Sequence, residues 1–130
     1  MTARVIVRFL LAALFLAAGI VHLLDPHLFL PIMPPAFPFP LFCILASGVA
    51  EISGGFGLLV PSPLVQAAAG LGLVLLLLAV FPANIYMAAH HVRIHGFPKH
   101  DWEAWARLPL QPLLILAVAW VSWPSKKLQP

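Results

Sequence analysis

Apolar residues run almost unbroken through four stretches of the chain, at about residues 5–24, 41–60, 64–91 and 107–123. Each stretch is close to the roughly 20 residues that a helix needs to cross the hydrocarbon core of a bilayer. Only Arg8 and His22 interrupt the first, and Asp25 and Pro26 end it. Residues 25–40 then hold Pro26, Pro31, Pro34, Pro35, Pro38 and Pro40 among Leu28, Phe29, Leu30, Ile32, Met33, Phe37 and Phe39. Such proline density forbids a long regular helix. An apolar, proline-rich connection is expected to lie in the interface or to fold back over the bundle as a lid or lateral gate.

In the second stretch, Gly48, Gly54, Gly55 and Gly57 permit close helix approach. Pro61, Ser62 and Pro63 make a tight turn into the third, which Pro82 should kink before it continues past Tyr86 towards residue 91. Residues 92–105 read as the one polar loop. Arg107 is expected to start the fourth span, with Pro109 tolerated in its first turns and Pro112 placed to distort it. Trp102, Trp105, Trp120 and Trp123 fall at the two ends of that span, as interfacial aromatics do. The expected fold is all-α: a single-domain integral membrane four-helix bundle, up-down-up-down with short loops. Arg4 and Arg8 ahead of an apolar run, with Ala17, Ala18 and Gly19 beyond, mimic a signal peptide. Three further apolar stretches, and the spanning length of the first, favour a membrane helix instead.

Composition agrees with that pattern. Of 130 residues, 62% are hydrophobic and 8% charged, and mean hydropathy is +1.02. A soluble domain carries about 25% charged residues, so a soluble enzyme and a disordered tail are excluded. The net charge of +3 comes from seven scattered cations: Arg4, Arg8, Arg93, Lys99, Arg107, Lys126 and Lys127. No basic block exists, which excludes a nucleic-acid partner; these side chains are expected to anchor helix ends at lipid headgroups. Four spans put both termini on one side. The count of Arg4, Arg8, Lys126 and Lys127 against Arg93, Lys99 and Arg107 favours cytoplasmic termini. Cys43 is the single cysteine, so no internal disulfide or dithiol chemistry is available.

Polar side chains inside apolar stretches carry the functional signal. Glu51 falls near the middle of the second span, where a carboxyl must face the bundle interior and either pair or take up a proton. His22, Asn84, Arg107 and Gln111 lie on the other spans, towards the end away from the termini. At 1.5 Å per residue Glu51 is roughly 15 Å below the start of its helix, too deep for Arg107 to reach directly, so Gln111 or a water is expected to bridge them. Tyr86, near Asn84, is a hydrogen-bond donor for a bound head group. Taken singly, each residue has a structural reading: interhelical glue for Glu51, an interfacial His22, an Asn84 satisfying carbonyls freed by Pro82, a snorkelling Arg107. Together, on four helices, they favour a site. His90, His91, His95 and His100 offer imidazoles for a metal, but their spacing fits no standard zinc pattern. A haem held between His22 and His90 or His91 is conceivable on the same residue types.

Several segments resemble DoxX-like membrane proteins: Gly19-Ile20-Val21-His22 with Asp25-Pro26, Ile32-Met33-Pro34, Ser47-Gly48-Val49-Ala50-Glu51-Ile52, Phe81-Pro82-Ala83-Asn84-Ile85-Tyr86-Met87 and Arg107-Leu108-Pro109-Leu110-Gln111. In that order they cover nearly the whole chain. The resemblance implies a four-helix bundle of the bacterial cytoplasmic (inner) membrane and a loose link to respiratory chemistry, through founding members that resemble subunits of a thiosulfate:quinone oxidoreductase. It carries shared polar positions over to His22, Glu51, Asn84, Arg107 and Gln111; the loop histidines and Cys43 match no shared feature.

The expected role is an accessory subunit of a quinone-linked membrane oxidoreductase system. Apolar walls would take the quinone tail, His22 or Asn84 would bind the head, and Glu51 would relay a proton. No flavin, haem or iron–sulfur motif is present, so electrons would come from a redox partner protein. The alternatives are a proton-coupled small-molecule carrier or channel, for which four helices leave little room without a homo-oligomer, and a structural or assembly factor whose polar residues only set helix register.

Overall fold

The structure, a computed structural model, describes residues 2–92 and 99–123. Four α-helices form an up-down-up-down bundle: α1 (Ala3–Leu24), α2 (Pro40–Leu59), α3 (Pro63–Ala89) and α4 (Asp101–Ser122). All four are long and apolar enough to cross a membrane, which marks a multi-pass membrane protein. No strand occurs among the described residues.

Local chemistry starts each helix. Thr2 caps α1, its hydroxyl oxygen accepting from the Val5 amide, and Ser62 caps α3 through Val65. Pro40 and Pro63 occupy first turns, where a missing amide hydrogen costs nothing. α4 begins at Asp101 and not near residue 107. Asp101 and Glu103 place negative charge in its first turn, favourable against the helix dipole, and a Glu103 oxygen accepts from the Lys99 amide at 3.0 Å. Part of the expected polar loop is therefore helix. Pro109 consequently sits more than two turns inside α4, beside Pro112, instead of in its first turns. α3 closes at Ala89, with His90 as its cap, and continues through Pro82 as expected.

Residues 25–40 fold back over the end of the bundle. Pro26–Ile32 forms a 3-10 helix that packs on α2, α1 and α3. The segment, called the strap below, re-enters regular structure at Phe39, whose backbone is left-handed (φ 51°, ψ 59°).

Small residues set the tightest crossing, between α1 and α2. A methyl group on Gly19 would lie 2.7 Å from the Gly48 carbonyl oxygen and 2.7 Å from Ile52, and one on Gly55 would lie 3.1 Å from the Ala12 oxygen. Ala12 and Gly19 on α1, and Gly48 and Gly55 on α2, recur at seven-residue spacing, so one flat seam runs along both helices. Gly54 packs against Leu73 and Gly57 against Ala69 in the same way, joining α2 to α3.

The apolar core lies in the half of the bundle nearer the termini. It consists of Leu11, Ala12 and Phe15 of α1, Leu58 of α2, Leu73 and Leu77 of α3, and Val118 and Val121 of α4. At that end Arg4 and Arg8 turn to the end of α4. Arg8 donates from Nε and Nη2 to the Val121 carbonyl at 3.2 and 3.1 Å, and Arg4 donates to the carbonyls of Trp120 (3.0 Å) and Trp123. These carbonyls belong to the last turn of α4, which has no further helix to accept from, so the first helix caps the last.

Candidate functional site: a buried carboxyl–imidazole pair

Two polar pairs occupy the other half of the bundle. Glu51 is 8% exposed and takes a place in the buried column Ile44, Glu51, Leu58, one residue per heptad on α2. Its neighbours on that column are apolar, so the carboxyl depends on what α1 offers. His22 supplies the partner: Nδ1 lies 2.9 Å from Oε2 of Glu51. Gly48 makes this reach possible, because a methyl group there would sit 2.9 Å from the His22 Cβ. The hydrogen bond can form with the proton on either side. Imidazole N–H donates to an ionised carboxylate, or a carboxylic O–H donates to an unprotonated ring nitrogen. The opposite face of the pair is closed by the strap, with the Phe29 ring centred 4.2 Å from the His22 ring and tilted by 32°.

Gln111 forms the second pair. It is 6% exposed in the column Ala104, Gln111, Val118 of α4. Asn84 Nδ2 donates to its Oε1 at 2.6 Å, and its Nε2 donates to the Leu77 carbonyl at 2.8 Å. Leu77 lies in the turn before Pro82, whose ring removes the amide donor that would otherwise bond the Leu78 carbonyl. The Gln111 amide thus ties α4 to the α3 backbone close to the proline. With its oxygen engaged by Asn84 and its nitrogen by Leu77, Gln111 does not bridge Arg107 to Glu51 as the sequence had led us to expect.

The other sequence candidates fall at the rim. Arg107 is exposed in the second turn of α4, its Nη1 3.9 Å from the Met87 sulfur. Tyr86 packs its ring on His90 at 4.2 Å. His91 Nδ1 lies 3.3 Å from Asp101, and His100 stacks on Trp102. Among the described residues no three His, Cys, Asp or Glu side chains come together to hold a metal; His95 lies outside the described residues. Sequence reasoning found both halves of each polar pair but not Phe29, the Leu77 carbonyl or the capping role of Arg4 and Arg8. The heptad columns were the available signal for the pairing, since Phe15 and His22 also stand seven residues apart.

Chemically, the first pair can hold a proton, whereas the second can only bond. A carboxyl and an imidazole in contact and largely buried can exchange a proton with each other and with a third group placed against them. Two carboxamides and a backbone carbonyl cannot titrate.

No curated protein and no solved structure matches the chain. Residues 11–122, from within α1 to the end of α4, match a family described as a domain of unknown function, and the chain belongs to that family, DUF8561.

Proposed function

We propose that the protein is a small membrane subunit that binds a quinone-type head group and handles its proton at the His22–Glu51 pair, within a larger oxidoreductase system. The observation that carries this reading is the largely buried hydrogen bond between Oε2 of Glu51 and Nδ1 of His22, in the half of the bundle that also holds the Asn84–Gln111 pair. The groups present fit such a head group: a carboxyl and an imidazole to bond its oxygens, and the phenyl ring of Phe29 for apolar contact. The resemblance to DoxX-like proteins supports the same class of chemistry. It also supports a place in the bacterial cytoplasmic membrane, and the count of cations supports cytoplasmic termini.

A quinone supplies a redox couple in which electron and proton uptake are matched. Electrons come from a partner protein. Glu51, when protonated, donates from its carboxyl to a head-group oxygen. His22 would take up a proton from outside the site at Nε2 and pass its Nδ1 proton to Oε2, which leaves the imidazole neutral and Glu51 reprotonated. Apolar walls keep water from short-circuiting the transfer.

The test is extraction and mass analysis of quinones from protein purified in mild detergent out of native membranes, with Glu51→Gln alongside. Quinone in near-stoichiometric amount, retained by the wild type and lost or unreactive in the variant, is the expected result. Absence of quinone, together with failure to rebind a short-tailed analogue, overturns the proposal. A Glu51-dependent flux assay in proteoliposomes then separates a proton-coupled carrier from an assembly factor.

A further inference from the structure

The strap carries an inference about access to the pair, and it rests on the reading that this pair exchanges a proton or ligand with its surroundings. Five of its residues, Pro26, Pro31, Pro34, Pro35 and Pro38, have no amide hydrogen. Beyond the bonds within its own 3-10 helix and the Asp25 amide on the Val21 carbonyl of α1, its backbone bonds are local: Leu28 to Asp25, Met33 to Leu30 and Phe37 to Pro34. None of these ties Pro26–Phe37 to a neighbouring helix; at the α2 end the Cys43 thiol donates to the Pro38 carbonyl at 3.5 Å and the Cys43 amide to the Phe39 carbonyl at 3.0 Å, and no residue of Pro26–Ile32 is fully buried. Side-chain packing therefore holds it down, with Phe29 on His22 as its ring contact to the polar pair. Its junction with α2 is strained. Phe39 has a left-handed backbone directly before Pro40, a conformation that costs a bulky residue about 1–2 kcal/mol.

We infer that the strap is a gate, with Phe29 as the plug over the His22–Glu51 pair and Phe39 as the hinge. Lifting Pro26–Ile32 about Phe39 breaks an aromatic contact and can leave the Cys43 bonds to Pro38 and Phe39 in place beside the hinge. Opening is then a local event, well below the cost of unfolding the bundle. Closing restores the dry environment in which a proton passes between Glu51 and His22.

A hydrophobic carbodiimide reports access directly, because it reacts with protonated carboxyls in apolar surroundings. Labelling at Glu51 is followed by peptide mass analysis of the full chain in nanodiscs, which separates it from Asp25, Asp101 and Glu103. Slow labelling of the wild type is expected, with a tenfold or greater rise in Phe29→Ala. Phe29→Leu, which keeps an apolar plug, and Phe42→Ala, which removes an exposed ring from α2 outside the strap, should label near the wild-type rate. Hydrogen exchange on the wild type provides a measurement that no variant can confound. The amides of Leu28, Met33 and Phe37 should exchange faster than those of α1 and α2. An unchanged Glu51 rate in a folded Phe29→Ala, or strap amides that open only with the whole bundle, overturns the gate. These readouts need no bound quinone, so the gate and the quinone proposal fail separately.

Discussion

The α1–α2 seam couples packing to the polar pair, and Gly19→Ala tests that coupling. The added methyl would stand 2.7 Å from the Gly48 carbonyl oxygen, short by 0.7 Å of the 3.4 Å at which ordinary contact begins. A backbone oxygen cannot swing aside as a side-chain tip can. The helices must therefore part by about that amount, and Ile52, also 2.7 Å away, must move as well. A 2.9 Å hydrogen bond one turn along the same seam would lengthen towards roughly 3.6 Å, where it ceases to be one. Overpacking of this kind costs about 1–3 kcal/mol, against which alanine regains about 1 kcal/mol of helix propensity. The expected balance is a loss of up to about 2 kcal/mol, accompanied by faster proton exchange of the His22 ring. Gly72→Ala is the matched control, since a methyl there meets nothing within 4 Å; it should be neutral or stabilising by up to about 1 kcal/mol. Unfolding by added sodium dodecyl sulfate from mild micelles, followed by circular dichroism, measures both. Equal stability of the two variants would refute the idea that glycine contact sets the helix separation.

Other perturbations read the remaining interactions. A double-mutant cycle on Asn84→Ala and Gln111→Ala should give a coupling of about 0.6–1.7 kcal/mol, the range of interhelical hydrogen bonds in membranes, and a value near zero would remove the reading that this pair ties α3 to α4. Arg8→Ala should cost about 1 kcal/mol by uncapping α4, seen as faster amide exchange confined to the last turn of that helix, with Arg8→Lys intermediate. Asp101→Asn should shift unfolding by less than about 1 kcal/mol, because both partners of the His91–Asp101 pair are more than half exposed. Glu51→Gln should keep the unfolding midpoint, since a carboxamide still bonds His22, while abolishing any proton-dependent activity; loss of fold in this variant would argue for a structural role alone.

Hydropathy along the chain was sufficient for the class of fold, because four apolar runs of helical length leave a backbone in lipid few ways to satisfy its hydrogen bonds. The expected ends of α1, α2 and α3 agree with the structure to within two residues, since Pro26, Pro40, Pro61 and Pro63 punctuate the chain unambiguously. α4 escaped because its first turns are polar: Asp101 and Glu103 read as loop by hydropathy, yet they stabilise a helix start through the dipole. Glu51, His22, Asn84 and Gln111 were visible as polar residues in apolar surroundings. Which of them meet was not visible, because pairing depends on helix register and separation. Glycine contacts across the bundle set those quantities, bringing His22 to Glu51 and leaving Arg107 at the rim. Arg4 and Arg8 show the same limit from the other end of the chain. Their charge was plain in the sequence, but their bonds to α4 carbonyls arise only when the first and last helices lie side by side.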